Sequence, residues 1–137
     1  MFDLATLDTR TRAEAGAPMT VRNPRTGAPV LNGDGQEVTI TLLGRGSQTY
    51  EDVQRRMLER RVERQAQGVR ISAEDTYAED TAILAACTKG WTFEALDGQP
   101  FPCTPENVNR LWNDRRFPWL RDAAIAFLSQ HGNFLST

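Results

Sequence analysis

Residues 90–112, GWTFEALDGQPFPCTPENVNRLW, constrain the backbone more tightly than any other stretch of the chain. Asp97-Gly98 is a pair that favours a two-residue hairpin, because both central positions of such a turn need positive φ. Pro100 and Pro102 lack a backbone N–H, so the return arm can be no more than an edge strand. Thr104 as N-cap, Pro105 at the first helical position and Glu106 in the first turn then start a helix, which runs to about Asn113. Within one short run the chain must turn, stop extending and begin a helix. Cys103 sits at the junction, either as a reactive thiol or as filler in a packed corner.

The rest of the chain is punctuated in the same way. Residues 3–15, DLATLDTRTRAEA, form a short helix of modest propensity that Gly16 and Pro18 end. Met19 and Val21 alternate with Thr20 and Arg22, and Val38, Ile40 and Leu42 alternate with Thr39 and Thr41, the period of half-buried strands. Asn23-Pro24, Thr26-Gly27 and Asn32-Gly33-Asp34-Gly35 between them are turn chemistry, which predicts a small antiparallel sheet of two or three strands. Asn32–Gly35 resembles part of a calcium loop, but the acidic ligand that should close such a loop is missing, so it is a solvated turn.

Ser47 opens a long helix that reaches about Gln67, with Glu51 and Asp52 in its first turns and Gly68 at its end. Ser72, three residues before Asp75, caps a second helix through about Cys87, with Tyr77, Ile83, Leu84 and Cys87 on its buried side and Gly90 as its stop. Pro118 opens the last helix, where Leu120, Ala123, Ala124, Phe127, Leu128 and His131 follow the spacing of a buried face.

These elements predict an α+β fold. A small N-terminal antiparallel hairpin or sheet (1–46) precedes a mainly helical part (47–137) that contains a short hairpin and an aromatic core. The 137 residues fit a single domain, since a chain of about 150 residues buries ~70% of the surface its unfolded form exposes. With 39% hydrophobic and 25% charged residues, the composition is that of an ordinary folded domain rather than a disordered or membrane chain. The N-terminus lacks the basic start and apolar run of a secretory signal. No stretch approaches the ~20 apolar residues that cross a bilayer. A cytosolic protein with reduced thiols is expected.

Chemical constellations are sparse. The chain has one His, His131, and two cysteines, Cys87 and Cys103. A Cys103/His131 nucleophilic pair lacks a third group near His131 to orient the imidazole. Two cysteines and one histidine fall short of the four ligands of a structural zinc site, so no metal is expected. There is no glycine-rich phosphate loop, no paired-carboxylate motif and no nucleophile elbow, which together argue for a protein that is not an enzyme and needs no cofactor.

The helix from Glu51 to Arg70 carries six Arg against Glu51, Asp52, Glu59 and Glu63. Interleaved acids make it a solvated, salt-bridged rod rather than a nucleic-acid footprint. Pairs of Glu51 with Arg55 and Asp52 with Arg56 fit i, i+4 support at ~0.3 kcal/mol each. Its apolar stripe, Tyr50, Val53 and Met57 with Val62 and Ala66 beyond, is too thin to seat the helix deeply. Part of the helix is therefore expected to project or to contact another chain. The aromatics Trp91, Phe93, Phe101, Trp112, Phe117 and Trp119 supply the main core at about 1.5–3 kcal/mol for each fully buried ring, although a few can instead line a groove for a partner peptide.

Taken in order, the parts resemble a known family. An FDL start, a hairpin ending in VTITLLG, an Arg-rich helix with QRRMLERRVER, then LAACTKGW, LDGQPFPCTPENVNRLW and a terminal WLRDAAIAFLSQHGNFL are similar to the tail assembly chaperones of long-tailed phages and related prophages. The resemblance spans nearly the whole chain and is most specific from Leu84 to Leu135.

That resemblance implies a protein of the infected host's cytoplasm. Such a protein binds the long, helical, aggregation-prone tape measure protein, helps recruit tail tube protein around it, and leaves before the virion is mature. A chaperone for a helical client needs an exposed amphipathic surface. The stripe of Tyr50, Val53 and Met57 flanked by Arg56, Arg60 and Arg64 is the predicted surface for the client or for self-association. The alternatives are a structural tail or head-to-tail joining protein of the virion, a nucleic-acid-binding regulator using the Arg helix, and, last, a cysteine enzyme.

Overall fold

The computed structural model of the protein describes residues 1–135. Its first segment is divided by Asp8. A 3-10 turn over Leu4–Leu7 is capped by Asp3, and helix α1 covers Arg10–Ala15. The Asp8 carboxylate accepts the N–H groups of Arg10 at 2.8 Å and Thr11 at 3.2 Å. Those are the donors a continuous helix over residues 3–15 would need, so the expected single helix breaks in two. Gly16, at φ 97°, then turns the chain into strand β1 (Ala17–Thr20).

β1 pairs antiparallel with β2 (Thr39–Leu42), with Met19 opposite Ile40 and Ala17 opposite Leu42. Met19, Ile40 and Leu42 face the principal core while Pro18, Thr20, Thr39 and Thr41 do not, as the alternation predicts, and Ala17 packs with Ala13 and Phe134. The intervening loop folds back on the sheet. Val30 N–H donates to the Val21 carbonyl at 2.9 Å, and Val38 N–H donates to the Val30 carbonyl at 2.7 Å. The Asn32 side chain closes its turn by accepting from the N–H groups of Asp34 and Gln36.

α2 (Gln48–Ala66) and α3 (Ala73–Cys87) form an antiparallel helical hairpin. Ser47 accepts from Tyr50 N–H, and Ser72 and Asp75 form a reciprocal capping box, as their spacing predicts. The chain leaves α3 directly into β3 (Thr88–Trp91), which pairs antiparallel with β2 and places Trp91 opposite Ile40. The sheet order is β1-β2-β3. The sheet therefore takes its third strand from the residues that directly follow α3, and Gly90 lies in that strand rather than acting as a helix stop.

β4 (Ala95–Leu96) and β5 (Gln99–Pro100) make the expected short hairpin. Asp97 and Gly98 both have positive φ, 52° and 77°. Arg116 clamps the tip, donating to Asp97 at 2.7 and 3.0 Å and to Asp114 at 2.7 Å, which holds both carboxyls below the usual range. α4 (Pro105–Asn113) starts on the predicted Thr104 cap, and α5 covers Pro118–Ser129.

The last helix departs from its expected face at two positions. Ala123 is exposed, and His131 lies beyond the helix in an exposed position of a 3-10 turn over His131–Phe134. Gln130 leaves the helical conformation, and the Asn133 side-chain amide donates to the Phe127 carbonyl at 2.9 Å. That turn returns Phe134 to the interior against Ala13 and Ala17. Gly44 passes so close that a methyl group on it would lie 2.9 Å from both the Ala13 side chain and the Phe134 ring.

A single principal core joins sheet and helices. Met19, Val21, Ile40 and Leu42 pack with Tyr50, Val53, Leu84, Leu111, Trp112, Leu120 and Leu128. One charged side chain among the described residues enters the interior: Arg121, which donates to Thr81 Oγ1 and the Trp112 carbonyl, both at 2.8 Å, and to the Tyr77 carbonyl. No described helix is long and apolar enough to cross a membrane.

Candidate functional site: an apolar groove at the open sheet edge

β1 is an outer strand, and its register decides what it offers. Val21 N–H donates to the Val38 carbonyl at 2.9 Å. Every second residue from Val21 therefore turns its backbone toward β2, while Pro18 and Thr20 turn theirs outward. Pro18 brings no N–H to that edge, a position where proline costs a sheet nothing. Thr20 keeps both a donor and an acceptor there. The open edge faces α5 across a hollow of about 430 Å³ lined by Pro18 to Arg22 on one side and by Trp119, Ala123, Ala126 and Phe127 on the other.

A second hollow of about 210 Å³ adjoins it, and Val21, Trp119 and Leu120 line both. Val30, Val38 and Ile40 line it, together with the half-buried rings of Phe93, Phe117 and Trp119. Phe117 and Trp119 meet edge to face at 6.4 Å, and Phe93 stacks on Trp91 at 4.8 Å. The Trp91 indole is fixed in turn by donating to the Phe101 carbonyl at 2.9 Å. Arg22 is the one charged residue lining either hollow among the described residues. The combination is a pair of adjoining hollows, the smaller one apolar and rimmed by aromatic rings, the larger one of mixed character where Thr20, Arg22, Gln130 and Asn133 join its lining along the β1 edge. It suits a peptide segment with large apolar side chains.

The aromatic cluster thus divides. Trp112 and Phe101 are fully buried, the former donating to Thr88 Oγ1 at 2.9 Å. Phe93, Phe117 and Trp119 line the groove. Sequence reasoning allows for that division without saying which rings fall on each side. It misses the contribution of α5. Ala123 and Ala126, three apart and on the side of Trp119, are small residues exposed on a helix that buries Leu120, Ala124 and Leu128, and that spacing is the signal that marks the floor of a groove.

The six residues predicted to meet a partner do not form one surface. Tyr50 and Val53 are only 9% and 5% exposed and belong to the principal core. Met57 is half-buried against that core. α2 is seated more deeply at its start than its thin stripe suggests, because it packs against α3 and joins the principal core there. Arg64 turns toward α3 and bonds Asp75 at 2.7 Å, while Arg56 and Arg60 are exposed. A hollow of about 80 Å³ between α2 and α3 gathers Met57, Arg60 and Arg64, and leaves Tyr50, Val53 and Arg56 out.

The charges of α2 pair differently from the local scheme. Glu51 meets Arg10 of α1 at 2.9 Å, Asp52 meets Arg55 at 2.8 Å, and Arg61 pairs with Glu79 of α3. Arg55 takes Asp52 by a local i, i+3 contact, while partners brought by the fold take Glu51 and Arg61. They also hold Arg61 and Arg64 against α3 rather than on a free basic face.

Cys103 is exposed just before α4, and His131 stands beside Gly46. No hydrogen bond joins them among the described residues. Partial burial pushes the Cys103 thiol up, the opposite of what a nucleophile needs. Cys87 is buried and pushed up to about 12 by desolvation. No family model, curated protein or solved structure matches the chain.

Proposed function

We propose that the protein is a phage tail assembly chaperone that holds an apolar segment of the tape measure protein in the groove between β1 and α5. Support comes from the resemblance of residues 84–135 to that family. The observation that carries the reading is the open trough around Trp119, the kind of surface a chaperone offers to a client with exposed apolar side chains. Each large client side chain seated there is worth about 1.5–3 kcal/mol, so two or three suffice for reversible capture. Reversible capture fits a factor that works in the host cytoplasm, brings tail tube protein to the tape measure, and departs before the virion is finished. The candidate surface moves accordingly from Tyr50, Val53 and Met57 to Phe93, Phe117, Trp119, Ala126 and the β1 edge.

Co-expression with a phage tape measure protein tests the proposal. Ala126→Glu places a charge in the groove from an exposed position and should abolish co-purification, whereas Arg56→Glu on α2 should leave it intact. Retention by the Ala126→Glu protein would remove the groove from the mechanism. Stoichiometric copies in finished particles would identify a structural tail component instead.

A further inference from the structure

Asn32-Gly33 is the only Asn-Gly pair in the chain, and the fold surrounds it with more than a turn requires. The Asn32 Oδ1 accepts two backbone N–H groups, from Asp34 at 3.0 Å and from Gln36 at 3.1 Å. Bonds to residues two and four ahead fold this side chain forward, along the peptide that carries the Gly33 nitrogen. The Gly33 N–H in turn donates to Glu94 Oε1 at 3.0 Å, a contact between residues 61 apart in sequence.

Both sides of that contact are fixed. Asn32 N–H donates to the Gln36 carbonyl at 2.8 Å, and Gly35 N–H donates to the Asn32 carbonyl at 3.0 Å. Glu94 is held from the other direction: its carbonyl accepts the Phe101 N–H at 3.0 Å, and the N–H of nearby Thr92 donates to the Thr39 carbonyl at 3.0 Å. A Cβ at residue 33 would lie 3.3 Å from the Glu94 carboxylate. Glycine therefore lets the carboxylate come close to the nitrogen and leaves that nitrogen unshielded.

The parts are those of an acyl transfer. The Gly33 nitrogen is the nucleophile and Asn32 Cγ the acyl carbon. The two N–H groups on Oδ1 stand where negative charge develops as Cγ becomes tetrahedral. Glu94 is within hydrogen-bond reach of the proton that has to leave.

We infer that Asn32-Gly33 is a self-modification site, at which the Asn32 amide closes to a cyclic imide with Glu94 as the base. The Gly33 nitrogen bonds to Asn32 Cγ while its proton passes to Glu94. The Cγ–Nδ2 bond then breaks, and Nδ2 leaves as ammonia with that proton. Nothing is oxidised or reduced. Water opens the imide at either carbonyl, which leaves an aspartyl or an isoaspartyl residue at position 32. Both products set a new carboxylate beside Glu94, and the isoaspartyl form also lengthens the main chain by one methylene. The loop anchored on Glu94 then loosens next to Val30, which lines the smaller hollow. The chemistry needs no client, so it stands or falls apart from the function proposed above.

Incubation of the full chain in neutral buffer, followed by peptide mapping, tests it. The readout is the amide-to-acid mass gain at Asn32 with isoaspartate detected at the same residue, which distinguishes it from isomerisation at Asp34-Gly35, where no ammonia is lost. The folded protein should convert about tenfold or more faster than an isolated peptide of residues 26–45, which has the same sequence without Glu94. Glu94→Gln keeps an acceptor for the Gly33 N–H but cannot take its proton, so with unchanged circular dichroism it should lose about tenfold or more in rate. Glu94→Asp, with the carboxylate drawn back by one methylene, should fall between. A folded protein that converts no faster than the peptide, or a Glu94→Gln protein that converts as fast as the native chain, would overturn the inference.

Discussion

The guanidinium of Arg121 lies over the ring of Tyr77, 3.7 Å from its centroid, and the same side chain bonds the Tyr77 carbonyl. A buried cation without a carboxylate in ion-pair contact among the described residues is tolerated here because three oxygens and an aromatic face replace its hydration. Arg121 thereby ties α5 to α3 and to the end of α4.

Removing that cation takes one donor from each of two carbonyls, leaving the Tyr77 carbonyl with the Thr81 hydroxyl at 2.9 Å and the Trp112 carbonyl with the Tyr77 hydroxyl at 3.4 Å. Arg121→Met should cost about 1.5–3 kcal/mol of unfolding free energy, the range for losing hydrogen bonds to a charged group. Arg121→Lys keeps the charge but loses the fork, so it should fall between the native protein and the Met variant in a urea titration. A native-like midpoint for the Met variant would show that the carbonyls find other donors.

The α2/α3 hairpin should be acid-sensitive. Asp75 is held down to about 2, first by the Arg64 side chain and then by the Ser72 backbone and hydroxyl. Its folded value lies below its unfolded one, so the stabilisation is complete above the ordinary carboxylate range and is lost as pH falls through about 2. Thermal melts between neutral pH and strong acid should show a declining midpoint, and Asp75→Asn should be less stable near neutrality with a flatter acid limb. An Asp75→Asn protein with the native acid limb would assign the sensitivity to other carboxylates.

Gly44 is required for closeness rather than for φ. A methyl group at this position would meet the Ala13 side chain and the Phe134 ring, each at 2.9 Å, so Gly44→Ala should destabilise the protein by about 1–3 kcal/mol through overpacking. Adding Phe134→Leu should recover part of the loss in a double-mutant cycle, whereas strict additivity would mean the two sites do not touch.

The thiols should differ in reactivity. Cys103 is exposed and should react with an aromatic disulfide reagent in the native protein, whereas Cys87, buried and pushed up to about 12, should react only on unfolding. Cys103→Ser should change stability by no more than about 0.5 kcal/mol, as for other surface substitutions. Two thiols reacting at one rate in the native protein would contradict the burial of Cys87.

Sequence alone determined the features that are local in cause. Ser47, Ser72 and Thr104 start helices because each side chain reaches an N–H three residues on, and Asp97-Gly98 turns because the pair tolerates positive φ. The alternation from Val38 to Leu42 likewise chose the buried face of β2. What only the tertiary structure decided depends on distant partners. Thr88–Trp91 became a strand because β2 offered it an edge, Tyr50 and Val53 were drawn inward by packing of α2 against α3 in the principal core, and Arg61 and Arg64 turned to acids on α3. The groove belongs to the same class. Trp119 and Phe117 are open while Trp112 and Phe101 are closed, and nothing in the spacing of aromatic residues distinguishes them until α5 is set beside an unpaired strand.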